Sequence, residues 1–223
     1  MLLVSATIYF SLRGTIYNHN TVQLWSIAAA TWLFYRALRY RQLAAWAWLG
    51  AVGAIAIMTK YSAVIQFFAF FLFMLRQGSL KERHVWKGVA VALCLFTVVV
   101  FPHVVWLAVH EFQPLRYADS SLESGGHLAA LKSILDFTLD QLARLSPMLV
   151  VALAWAYWTR RAGPSSRDVT ADPGHPPRYG AELSHWDRSF LLWVGLTPVL
   201  ATIMISALLG TRLVASWGTT FFM

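Results

Sequence analysis

The chain has 223 residues, of which 58% are hydrophobic and 13% charged, with one cysteine and a formal net charge of +8. A soluble domain carries roughly twice that share of charge, so a soluble globular enzyme, a disordered tail and a disulfide scaffold are excluded. The 18 basic residues are spread thinly rather than gathered on one polar domain, which speaks against nucleic acid as a partner. Together with a mean hydropathy of +0.55, these values place the lipid bilayer first among the partners. They predict an all-α, polytopic transmembrane helical bundle forming a single integral-membrane domain over 1–223.

In chain order, Met1 to Leu12 is apolar but shorter than the roughly 20 residues a span needs. It lacks a basic leader and a small-residue cleavage site, so it reads as an N-terminal stub of a span rather than a signal peptide. A second segment runs from about Thr21 to Leu38. Leu43 to Leu75 is then apolar except for Thr59-Lys60-Tyr61-Ser62. As one helix it would be about 50 Å long, against a bilayer core of about 30 Å. Arg36, Arg39 and Arg41 precede it, and Arg76, Lys81, Arg83 and Lys87 follow it. The positive-inside rule puts both clusters in the cytoplasm, so an even number of crossings separates them. Two short helices turning at Lys60 satisfy length and charge together.

A further span is expected at Gly88–Val109, another at Pro147–Trp158 with helix before it, and a last at Ser189–Leu209. That makes about six spans in all. The segment 159–188 carries Arg160, Arg161, Arg167, Arg178 and Arg188 among Pro, Gly, Ser and Asp, and reads as a flexible cytoplasmic loop. The segment 110–146 is then a loop on the outer side. Its second half sets Leu128, Leu131, Leu135 and Leu142 on one helical face and Lys132, Asp136 and Asp140 on another, as an interfacial amphipathic helix does.

Few charges face outward. Lys60 reads either as a lysine snorkelling at a helix end or as an anion site meeting a lipid phosphate. Asn18 and Asn20, at the outer start of the second segment, suit helix capping or sugar contact. His103, His110 and Glu111 bracket the outer end of the fifth segment. Their spacing admits zinc but offers no convincing further ligand, so a structural His103 and no metal are expected. Pro102 should kink that helix and open room beside His103. Arg116 and Tyr117 suit a phosphate, an acceptor or an ordinary loop ion pair. No Walker loop, nucleophile elbow or dinucleotide fingerprint is present, and Cys94 stands alone, so no soluble cofactor has a visible seat.

Three strings together resemble one family: Tyr17-Asn-His-Asn-Thr-Val-Gln-Leu-Trp with Trp32-Leu-Phe-Tyr-Arg-Ala-Leu; Gly50-x-x-Gly-x-x-x-x-x-Thr59-Lys60-Tyr61-Ser62-Ala63; and Phe101-Pro-His-Val-Val-Trp with Gln113-Pro-Leu-Arg-Tyr-Ala. Over most of residues 15–120 the chain is similar to bacterial glycosyltransferase family 39. That group resembles dolichyl-phosphate-mannose protein mannosyltransferases and the lipid A aminoarabinose transferase. The resemblance implies a GT-C fold in the bacterial inner membrane, with a periplasmic active site. It also implies a polyprenyl-phosphate-linked sugar as donor substrate, and a lipid, glycan or protein as acceptor. Lys60 matches the family's Thr-Lys pattern, so the resemblance favours phosphate contact there, with Tyr61, Asn18, Asn20, His103, Arg116 and Tyr117 as substrate-binding candidates.

The chain departs from the family in having no Asp-Glu pair, where such enzymes keep their general base. It is accordingly expected to be an internal portion of a longer transferase, lacking the base and inactive alone. A transporter or flippase of lipid-linked sugars and a non-catalytic membrane scaffold are the alternatives. The first should show an internal repeat of spans, which is not visible.

Overall fold

A computed structural model describes residues 19–113, 126–161 and 184–213. Six helices make up nearly all of it: α1 (His19–Arg39), α2 (Leu43–Thr59), α3 (Val64–Gln77), α4 (Arg83–Val109), α5 (Gly126–Arg161) and α6 (His185–Leu209). The bundle is all-α, with no strand among the described residues. Helices α4, Gly126–Trp158 of α5, and α6 are each long and apolar enough to cross a membrane, and Leu43–Thr59 and Tyr61–Gln77 are shorter apolar helices. The expected stub at Met1–Leu12 and most of the loop over 159–188 lie outside the described residues.

The expected turn at Lys60 is present. Helix α2 stops at Thr59, Lys60 is extended (φ −161°, ψ 123°), and one turn of 3-10 helix over Tyr61–Ala63 leads into α3. Helix α1 packs on α2, α2 on α4, α3 on α6 and α5 on α6. Near the basic ends of the helices, Phe34 of α1 stacks on Phe70 (ring centres 4.2 Å apart) and meets Phe73, Phe190 and Trp46. This aromatic cluster ties α1, α2, α3 and α6 together. Offset and edge-on pairs of this kind add about 0.5–1.5 kcal/mol each to their area burial.

Lipid tails are as apolar as leucine, so helices in a membrane gain little from burying one another's apolar faces and rely on close packing instead. Glycine provides it here. A Cβ on Gly50 would collide with the backbone carbonyl of Ala92 on α4, and one on Gly88 would enter the Trp46 indole. The α2–α4 crossing therefore needs both glycines. Outward faces remain apolar and exposed, as with Leu93, Val98 and Phe101 on α4 and Leu153 and Trp155 on α5. The start of helix α1 is reversed in polarity: Gln23 (1% exposed) and Ser26 (0%) point inward, while Trp25 points out; farther along, Ala30, Phe34 and Ala37 are buried.

The amphipathic segment and the span after it form one helix, α5, about 54 Å long at 1.5 Å per residue. The proline between the two pieces is accommodated. Pro147 has no N–H for the carbonyl of Ala143, four residues back, and the Ser146 hydroxyl donates to that carbonyl at 2.7 Å. The leucines of the apolar face, Leu128, Leu131, Leu135 and Leu142, are more than half exposed; the helix packs through Ala130, Phe137 and Gln141. On its polar side Arg144 holds both carboxylate oxygens of Asp140.

A second proline is accommodated across two helices. Pro198 inside α6 leaves the Val194 carbonyl without its helical donor, and Gln66 of α3 supplies one from Nε2 at 3.3 Å. This explains a buried glutamine in an otherwise apolar helix. Replacing Gln66 with Leu should lower the thermal stability of the detergent-purified protein, at a cost of about 1 kcal/mol. The same change should cost less in a Pro198→Ala background, where residue 198 regains its own N–H. Equal losses in both backgrounds would show that Gln66 does not serve the proline.

Candidate functional site

The break at Lys60 brings four elements together at the end of the bundle opposite the arginine clusters. Helix α1 begins there with Asn20 and Gln23, one turn apart on the same face. Helix α2 ends there, the 3-10 turn carries Tyr61, and α4 passes with His103 and Trp106.

The half-buried Lys60 ammonium donates to Asn20 Oδ1 at 2.6 Å. This is a charge-assisted bond to a neutral acceptor. Among the described residues no carboxylate pairs with Lys60. Burial without a counter-charge disfavours the ammonium and pulls its pKa down to about 8. The group is therefore cationic at neutral pH, partly desolvated, and paired only with an amide.

Gln23 holds the backbone of the same residue, its Nε2 donating to the Lys60 carbonyl at 3.1 Å. Its other amide atom, Oε1, is buried and without a hydrogen-bond partner among the described residues. Turning the amide over would only set that oxygen against the Lys60 carbonyl. The chain thus keeps a desolvated acceptor beside the Lys60 backbone, at the cost of about 1–3 kcal/mol that an unpaired buried polar atom carries.

On the other flank Tyr61 Oη and His103 Nε2 are 3.1 Å apart. Rings continue along α4, with His103 stacked on Trp106 and Trp106 on His110 at 4.4 Å between centres. His110 Nδ1 lies 2.8 Å from the Trp106 carbonyl, in the last turn of the helix. His103 therefore has a tyrosine partner, and no group of three metal-ligating side chains occurs among the described residues.

Of the sequence candidates, Lys60, Tyr61, Asn20 and His103 converge at this end. Asn18, Arg116 and Tyr117 lie outside the described residues. Sequence reasoning assigned no role to Gln23. Its signal was the spacing Asn20, Gln23, Ser26, a polar stripe at helical period in an apolar segment.

The chemistry available here is recognition of an anion by Lys60, with neutral amides and aromatic faces around it. The Lys60 ammonium should titrate near pH 8, charged below and neutral above, when followed by NMR of isotopically methylated lysines. Asn20→Ala removes the acceptor that favours the charged form and should move the midpoint lower. A midpoint unchanged or raised by Asn20→Ala would contradict the pairing.

No curated protein and no solved structure matches the chain. The family model described as dolichyl-phosphate-mannose-protein mannosyltransferase matches residues 1–106. That portion, which holds Asn20, Gln23, Lys60, Tyr61 and His103, is similar to this family.

Proposed function

We propose that this chain is part of a membrane glycosyltransferase whose donor is a sugar linked to a polyprenyl phosphate, and that Lys60 contacts the donor's phosphate. The observation that carries the reading is a half-buried ammonium held by one neutral amide at a helix break. Where a structural lysine finds a carboxylate, this one keeps capacity for an anion, since an ammonium has three donors and one is used by Asn20. The family match over residues 1–106 supports the reaction class, and the apolar helices support a donor delivered within the bilayer.

In the proposed reaction an acceptor oxygen or nitrogen attacks the anomeric carbon of the donor. The bond from that carbon to the phosphate oxygen breaks, and the electron pair leaves with the polyprenyl phosphate. A base supplied outside the described residues takes the acceptor's proton. Lys60 stabilises the negative charge that grows on the leaving phosphate, in a partly desolvated site where such stabilisation is strongest. The unpaired Gln23 Oε1 suits a hydroxyl donor from the bound ligand. By the positive-inside reading of the arginine clusters, this end faces the periplasm of a bacterial inner membrane.

The test uses the protein in detergent micelles or nanodiscs with polyprenyl phosphate as the probe. Lys60→Ala should weaken binding about 10- to 100-fold, the value of a charge-assisted hydrogen bond, while Lys60→Arg should retain part of it. Wild-type affinity should also fall as pH rises through about 8, because the ammonium is then lost. Binding that is indifferent both to Lys60→Ala and to this pH range would overturn the proposal.

A further inference from the structure

The other end of the bundle holds a groove of about 410 Å3 between α1 and α2, lined by Trp32, Arg36, Gln42, Ala45, Trp48 and Val52. It lies among the basic residues, far along both helices from Lys60. Its polarity is graded. Arg36, in the last turn of α1, and Gln42, at the start of α2, form a polar mouth. Ala45, Trp48 and Val52 follow at helical spacing along one face of α2 and make an apolar floor. From Gln42 to Val52 is about 15 Å along a helix, half the thickness of a hydrocarbon core.

Both polar side chains at the mouth have hydrogen-bonding capacity to spare. The half-buried Arg36 guanidinium lies 4.8 Å from the centre of the Trp32 ring. It has no hydrogen-bond acceptor and no carboxylate among the described residues. Its neighbours are engaged otherwise: Arg41 pairs with Glu82 at 3.3 Å, and Arg39 lies over Trp186. Gln42 makes no cap with its side chain, and the first turn of α2 has no acidic residue. Trp32 and Trp48 are 56% and 64% exposed on either side, as rings at the membrane–water interface are.

We propose that this groove binds an anionic phospholipid, with the headgroup phosphate on Arg36 and Gln42 and an acyl chain along Ala45, Trp48 and Val52. Arginine's planar fork suits two phosphate oxygens at once, and stacking on Trp32 holds it in place before the lipid arrives. The surrounding cations Arg39, Arg76, Lys81, Arg83 and Lys87 favour an anionic headgroup over a zwitterionic one. The positive-inside rule places the groove in the cytoplasmic leaflet. The site is separate from Lys60 and does not depend on the reaction proposed there.

Native mass spectrometry of the detergent-purified protein, titrated with phosphatidylglycerol or phosphatidylcholine, tests it. The wild type should retain one phosphatidylglycerol with about fivefold or greater preference, the contribution of one cation near an anionic leaflet. Arg36→Gln should abolish the preference and Arg36→Lys should keep part of it. Lys132→Gln, an exposed residue of α5 outside the groove, should leave it intact. Absence of a preference in the wild type would overturn the proposal without reference to any variant's folding. So would a preference that survives Arg36→Gln, or full displacement of the lipid by inorganic phosphate, which would mark a site for the free ion.

Discussion

The hydrogen bond from Lys60 Nζ to Asn20 Oδ1 joins the start of α1 to the point where α2 gives way to α3. An apolar stretch too long for one span must reverse somewhere, and the reversal exposes backbone groups that a bilayer cannot satisfy. Gln23 answers part of that need by donating to the Lys60 carbonyl. The residue that breaks the helix is thus fixed through its main chain and its side chain by the same face of α1. That face is polar near Lys60 and aromatic at Phe34, so one helix supplies both the site and the centre of the core.

The same accounting explains the prolines. Pro147 and Pro198 each free a carbonyl inside a long helix, and each finds a substitute donor, Ser146 in its own helix and Gln66 in a neighbour. Neither helix breaks. The interhelical solution also links α3 to α6, beside the aromatic contacts of Phe73 and Phe190. Among the buried polar side chains Gln66 thus replaces a missing backbone donor, whereas Ser26 and Thr202 bond back to carbonyls of their own helices. Gln23 differs from both, because its amide nitrogen is used and its oxygen is not.

The bundle class and the turn at Lys60 were legible from composition, length and the placing of arginines, since these rest on bilayer thickness and on charge transfer across it. Helix before Pro147 was legible too, but not how it passes the proline, which only the position of the Ser146 hydroxyl over the Ala143 carbonyl shows. The leucine stripe of α5 was legible, but not its direction: in lipid an apolar face can point outward, and helical periodicity gives only the stripe. At the site, Lys60, Tyr61 and His103 stood out as polar groups beside apolar runs. Gln66 did not, because an isolated amide in a helix carries no sign of the backbone carbonyl it will serve, and Gln23 was marked only by its place in the stripe with Asn20 and Ser26.

The central claim is that the Lys60 ammonium is a phosphate-binding cation parked on Asn20. A structure of the protein with polyprenyl phosphate bound measures this directly. A phosphate oxygen about 2.7–2.9 Å from Lys60 Nζ, the distance of a charge-assisted bond, is the expected result. A lipid phosphate seated elsewhere, with Lys60 still bonded to Asn20 alone, would contradict it.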